Sequence, residues 1–353
     1  KIRNEKKYSF PKRSFDMHIS INEGQPRTYE PGTKIDNRSA FGNALLDLGT
    51  ANKQNKKNPI IVFDCDLASS VKTDAFAKQY PENFFQCGVQ EHHAATLSGA
   101  VSVGGAICFF ADFGVFGVDE TFNQHRLNDQ NYTNLKIICT HLGLDVGEDG
   151  KTHQCIDYIG LFRNIFGIKL IIPADPNQTD RIIRYVASHP GNYFVGMGRS
   201  HTEVITDIDG KVFFANSYKF EYGKTDILRE GNDAAIYTMG ALVPRAITIS
   251  DTLKKEGVEV AVINCSCPVA IDEKALQYGL QTNLIISYED HVVDSGLGMT
   301  LAGLIAEQSV KIKFRRLGLR KYGSSGNPDE LYAEHGLDSE SVKKFIRETI
   351  KTK

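Results

Sequence analysis

Residues 84–120 read FFQCGVQEHHAATLSGAVSVGGAICFFADFGVFGVDE, and this stretch decides the fold. A short apolar segment, FFQCG, leads to a carboxylate, Glu91, which opens an alanine- and glycine-rich helix predicted over 91–102. The apolar stretch GAICFFAD comes next, and a run punctuated by Phe113 and Phe116 follows it. Strand, helix and strand at this spacing form the unit of a parallel sheet, because parallel neighbours need a helix-length crossover between them.

The pattern extends in both directions. Upstream, NRSAFGNALLDLGTAN has helical apolar spacing with Asn37 as candidate cap, and PIIVFDCD is a buried strand ending in carboxylates. Downstream come a helix near 117–129, the strand NLKIICTHLG, the loop DVGEDGKTHQ, a helix at 155–166, the strand IKLIIPAD and a helix at 176–188. The expected fold class is α/β, a parallel sheet covered on both faces. Residues 193–230 change texture and suit strands joined by turns and a crossover. A second alternation starts at 233 with DAAIYTMG, a helix at 241–256, VEVAVINC, a helix at 272–278, NLIISYED and a helix at 297–308, then a basic strand and a terminal helix. This is a second, smaller α/β unit.

A chain of 353 residues exceeds one usual core, in keeping with two units. Its 41 basic and 43 acidic residues leave a formal charge of −2, so no electrostatic pull toward nucleic acid or a membrane is expected. No apolar run reaches the roughly eighteen residues of a membrane span, and the start, KIRNEKKYSFPKRSF, lacks an apolar signal core. A soluble, cytoplasmic protein is expected. Its basic first dozen residues read as a solvated tail, and Lys1 in place of Met suggests a processed or fragmentary product. Residues 1–36 are polar and proline-dotted, like a linker or an arm lying on a partner. Seven scattered cysteines without CxxC spacing are expected to be reduced and mostly buried, and Cys265 and Cys267 stand too close for a usual zinc pair.

Two stretches carry candidate chemistry. Glu91, His92 and His93 invite a metal reading, but consecutive helical residues point about 100° apart and cannot converge on one ion. Glu91 reads better as a partly buried carboxylate sharing a proton with a nitrogen base, or as a charge that favours the helix dipole. The segment DVGEDGKTHQ concentrates Asp149, His153 and glycines after an apolar strand, where parallel sheets bind ligands. Gly296, Gly298 and Gly303 do not make a nucleotide-binding loop, and the turn at Asp209 and Gly210 lacks an EF-hand's later ligands. Both read as structural.

GVQEHHAATLSGA resembles the transketolase motif in which a glutamate opens a helix of the pyrimidine-binding domain, and GEDGKTHQ is close to that family's G-E-D-G-P-T-H-Q. HVVDSGLGMTLAGLIAE and LGLRKYGSSGNPDELYAEHGLD resemble its closing domain, so the likeness runs from about residue 35 to the end. The resemblance implies an N-terminal arm or linker at 1–36, a pyrimidine-binding domain at 37–200, a connection at 201–230 and a C-terminal domain at 231–353. The family's pyrophosphate- and Mg²⁺-binding domain, with its Gly-Asp-Gly motif, has no counterpart here. The resemblance therefore implies the C-terminal subunit of a split transketolase, or a fragment of a longer one. Such a chain depends on thiamine diphosphate and works only beside an N-terminal partner that carries the Mg²⁺ ligands, as α₂β₂ or as a dimer of full-length chains.

Carried across position by position, Glu91 matches the glutamate that hydrogen-bonds N1′ of the aminopyrimidine, and Phe113 and Phe116 match the rings that stack on it. The third position of that set, often Tyr, is Asp119 here. Asp149 and His153 match residues that meet sugar hydroxyls, with His153 also near the donor carbonyl, and His141 matches a phosphate-proximal histidine. Arg38, Ser70 and Arg199 match phosphate-contacting positions, which suits arginine's two-pronged hydrogen bonding. The implied reaction moves a two-carbon ketol unit from a ketose phosphate to an aldose phosphate. Its rivals are a related thiamine enzyme, deoxyxylulose phosphate synthase or the beta chain of a 2-oxo acid dehydrogenase, and a non-catalytic dimerisation module.

Overall fold

The computed structural model describes residues 18–351; the first dozen residues, read as a solvated tail, lie outside them. The first half of the chain alternates helices and strands. Its helices are α1 (Asn37–Asn52), α2 (Ala68–Val71), α3 (Asp74–Gln79), α4 (Glu91–Val103), α5 (Phe122–Gln130), α6 (Tyr158–Phe162) and α7 (Pro176–Ser188). Its strands are β1 (Ile60–Asp64), β2 (Phe84–Gln86), β3 (Ile107–Phe113), β4 (Leu135–Thr140), β5 (Ile168–Ile171) and β6 (Asn192–Gly196). They form one six-stranded sheet in the order β2-β1-β3-β4-β6-β5, parallel throughout. Every residue of β3 and β4 is buried, as expected of central strands covered on both faces.

The second half holds β7 (Asp226–Arg229), β8 (Ala234–Thr238), β9 (Val260–Asn264), β10 (Leu284–Val292) and β11 (Lys313–Leu319). Its helices are α8 (Val243–Lys254), α9 (Glu273–Leu280), α10 (Leu297–Glu307), α11 (Pro328–Glu334) and α12 (Ser339–Lys351). The sheet order is β11-β10-β8-β9-β7, parallel except for the edge strand β7, which runs antiparallel to β9. The α/β class and its two sheets match the sequence expectation.

Several elements differ from that expectation. The helix predicted near 117–129 begins as a π-helical turn, Val115–Glu120, before α5, and the one predicted at 155–166 shrinks to α6. Between β6 and β7 the chain is irregular apart from two isolated bridges, His201 with Asp36 and Thr206 with Val212. The cap of α1 is Asp36 rather than Asn37: its carboxylate accepts from Ser39 N at 2.8 Å. Residues 18–36 lie on their own chain rather than reaching away from it. Arg27 pairs with Asp47 of α1 through two bonds of 2.7 Å, and its backbone N–H donates to Asp180 of α7. The backbone of Tyr29 is held by Asn177. This cover explains why α7 has Asp180, Arg181 and Arg184 buried: their partners come from the covering segment as well as the helix. All seven cysteines are free, and all but Cys87 are buried.

Candidate active site

The carboxyl ends of β1 and β4 build one side of a cavity of about 570 Å³, as the parallel-sheet rule leads one to expect. After β1, the carboxylate of Asp64 organises the turn: one oxygen accepts from Leu67 N at 2.9 Å, the other from the Thr73 hydroxyl at 2.9 Å. The turn presents Leu67, Ser69, Ser70 and Lys72 to the cavity. Arg38, in the first turn of α1, donates to the carbonyl of Ser70 at 3.2 Å and that of Arg199 at 2.8 Å, tying three segments of the cavity wall together.

His141 follows β4 in a left-handed conformation, φ 59°, and its ring stacks on Phe113 at 3.7 Å between centroids. Its imidazole is pushed down to about 3, first by burial and then by the cations Arg38 and Arg199, so it stands neutral. The Thr140 hydroxyl lies 2.8 Å from its Nδ1. Beyond it, residues Leu144–Asp149 form a tight helical turn kinked at Gly147, and Asp149 at its end faces the cavity with His153. The backbone N–H groups of Arg199 and Ser200 bind Asp145 at 2.6 and 2.8 Å, joining this turn to the segment after β6.

The turn is also held from the second sheet. At the end of β10, Asp290 accepts from Leu144 N with both oxygens, at 2.9 and 3.0 Å, and from the Tyr332 hydroxyl at 2.8 Å. Gly143 has φ 71°, and a Cβ there would fall 2.1 Å from Asp290 Oδ2, so only glycine fits. The Gln154 side chain binds Gly323 N and Ser324 O, each at 3.0 Å, and the Ser325 hydroxyl donates to Glu148 O.

Glu91 is not in this cavity's wall. It starts α4, which packs on β3 and the π-helical turn, and it is buried, 8% exposed. Oxygens of Glu91 and Asp112 and the sulfur of Cys65 lie within 4.8 Å of one another. Asp112 has no exposed surface, and its Oδ2 has no hydrogen-bond partner among the described residues. Burial pushes its carboxyl up to about 8, against the pull of the Phe113 N–H and with a further push from Glu91. Phe116, half-buried, stacks against Phe113 with centroids 6.0 Å apart and meets the His153 ring edge-on at 5.7 Å. Asp119 stands near Asp157 and Cys155, and the loss of water around its carboxyl, followed by the charge of Asp157, pushes it up to about 7. His92 and His93 are exposed.

Thus Arg38, Ser70, Phe113, His141, Asp149, His153 and Arg199 all border one cavity, Phe116 packs on two of its lining rings, and Glu91 lies outside the lining with Asp112 and Cys65. Sequence reasoning missed Ser69, Lys72, Asp112 and the Asp290 clamp. DLASSVKT, directly after a predicted strand, was the available signal for the first two.

The architecture is that of an α/β protein whose first sheet carries a cation-lined cavity at its carboxyl edge. Residues 33–203 match the transketolase pyrimidine binding domain, and residues 223–342 match the transketolase C-terminal domain. The chain is 33% identical over 316 residues to a Methanocaldococcus jannaschii protein named as a transketolase C-terminal section, covering 89% of this chain and 96% of that one. It is 27% identical over 282 residues to an Actinobacillus succinogenes protein named as a subunit of apulose-4-phosphate transketolase, covering 78% of this chain and 88% of that one. Among solved structures, the inactive beta4 tetramer of a split gene transketolase superposes with a TM-score of 0.77 at 29% identity, covering 90% of this chain and 99% of that one. The chain belongs to the transketolase family and corresponds to its C-terminal part. It spans about half the length of the mouse and human transketolases that it also matches.

Proposed function

We propose that this chain supplies the pyrimidine-side half of a thiamine diphosphate dependent ketol-transfer site, completed by an N-terminal partner subunit or domain. The carrying observation is the convergence of Arg38, Ser70, His141, Asp149, His153 and Arg199 on one cavity. The residues fit an aminopyrimidine: the buried carboxylate of Glu91 opens α4, which packs on the π-helical turn that carries Phe116, and the half-buried Phe116 ring is stacked on Phe113. Bound there, the cofactor would supply the carbanion chemistry that ketol transfer needs.

The chain's own residues divide the remaining work. Glu91 holds a proton at N1′, and Phe116, backed by Phe113, presents a ring face to the pyrimidine. His153, whose Nδ1 lies 3.0 Å from the Thr152 hydroxyl, exchanges a proton at the sugar carbonyl oxygen, and Asp149 accepts from a sugar hydroxyl. Arg38 and Arg199 attract the phosphate, with neutral His141 between them as a hydrogen-bonding group rather than a charge. The pyrophosphate and Mg²⁺ are assigned to the partner.

The proposed reaction transfers a two-carbon unit from a ketose phosphate to an aldose phosphate. Partnership is supported by the naming of the apulose-4-phosphate transketolase relative as one subunit of an enzyme and by the inactivity stated for the beta4 tetramer. The test is reconstitution: this chain alone should be inactive, and adding an N-terminal transketolase subunit, Mg²⁺ and thiamine diphosphate should give transfer from xylulose 5-phosphate to ribose 5-phosphate. Pyruvate decarboxylation without ketol transfer would defeat this reading.

A further inference from the structure

Lys72 occupies an unusual position in the cavity wall. It ends α2 with φ 69° and ψ 31°, a left-handed conformation that costs a non-glycine residue about 1 kcal/mol or more. Neighbouring elements hold it there. Its N–H and that of Thr73 both donate to Ala68 O, and the Thr73 hydroxyl is anchored on buried Asp64 at 2.9 Å. From α1, Gly42 leaves room for it: a Cβ on Gly42 would fall 2.4 Å from Lys72 O and 2.9 Å from Lys72 Cβ.

The side chain delivered by this arrangement lines the same cavity as Arg38 and Arg199, and its charge is among those that lower His141. The two arginines are already engaged. Arg38 binds two carbonyls and lies 3.4 Å from Asp36, while Arg199 binds Val146 O at 2.9 Å and Glu148 at 2.8 Å. Among the described residues, the Lys72 ammonium has no hydrogen-bond or ion-pair partner. The lining holds three fixed cations, Arg38, Lys72 and Arg199, against one carboxylate, Asp149.

We propose that Lys72 is the specificity-determining cation of this site, using its uncommitted ammonium to bind the phosphate dianion of a sugar phosphate beside the Ser69 and Ser70 hydroxyls. This rests on the ketol-transfer reading and names the group within it that discriminates phosphorylated from unphosphorylated sugars. A lysine is a compact charge with three rotatable donors, so it can follow a phosphate that the already bonded guanidinium groups meet from fixed positions.

Two measurements test this. In the reconstituted assembly, Lys72→Met should change the ratio of KM values for xylulose 5-phosphate and xylulose by about tenfold or more against the phosphorylated sugar, with kcat for it changed far less. Lys72→Arg should recover most of that ratio. Separately, inorganic phosphate is titrated into the full chain alone and followed by NMR. The wild-type chain should bind it, and Lys72→Met should weaken binding by a similar factor while keeping the wild-type spectrum elsewhere. Lys72→Met leaving the KM ratio unchanged overturns the proposal, as does phosphate failing to bind wild type or binding both chains equally. If the assembly transfers no ketol unit at all, the functional reading fails, and the phosphate titration still decides Lys72.

Discussion

Asp112 shows how one buried side chain can set the conditions for its neighbour. Its carboxyl lies against Glu91 and Cys65 at the end of β3, fully enclosed, and is pushed from the ordinary 3.8 to about 8 by burial. A carboxyl raised in the folded state keeps a proton that the unfolded chain loses above about pH 4, so its contribution to stability falls as pH rises toward about 8 and then levels off. Asp112→Asn, neutral at every pH, should flatten that part of the profile, and urea unfolding of both chains across this range checks it. Glu91→Ala removes the proposed proton partner of the cofactor. In the reconstituted assembly it is expected to lower transfer by about 10²- to 10⁴-fold and to weaken cofactor affinity, measured by turnover and by cofactor titration.

At the scale of elements, the turn Leu144–Asp149 belongs by sequence to the first sheet, where Arg199 and Ser200 bind it, but it is held by the second as well. Asp290 from β10 binds Leu144 N, and the segment around Gly323–Ser325 binds Gln154 and Glu148. Asp290→Ala strands a backbone N–H and the Tyr332 hydroxyl, at a cost of about 1–3 kcal/mol. Amide hydrogen exchange should accelerate across 144–150, and KM should rise in the assembly because Asp149 loses its fixed place. Gly42 is the corresponding constraint on the other wall. Gly42→Ala forces α1 and Lys72 apart, with an expected loss of about 1–3 kcal/mol in chemical denaturation.

For the whole molecule, residues 18–36 behave as part of the core's cover. Arg184 of α7, almost fully buried, binds Asp180, Asp47 and the carbonyl of Glu23, and Arg27 closes the network from the covering segment. Deleting residues 1–30 uncovers these charges and removes several bonds to α1 and α7. At about 2–4 °C per kcal/mol for a domain of this size, the melting midpoint should fall by on the order of 10 °C in calorimetry. The described residues contain no helix long and apolar enough to cross a membrane.

The sequence by itself determined the two α/β units, because apolar runs of strand length separated by helical patterns leave few alternatives to parallel sheets. It also pointed to Arg38, Ser70, His141, Asp149, His153 and Arg199, which motif and resemblance marked one at a time. Only the tertiary structure put them around one cavity, since their separations along the chain say nothing about which strand ends lie side by side. It alone decided that Lys72 joins them, that Asp112 lies beside Glu91 with one oxygen unpartnered among the described residues, and that Asp290 from the second sheet helps to fix the turn of Asp149. These are contacts between elements distant in sequence, and close packing, rather than local pattern, selects them. The π-helical turn before α5 has the same origin: local periodicity favoured one longer helix, and Gly117 approaches Asp112 and Cys139 too closely for a side chain there.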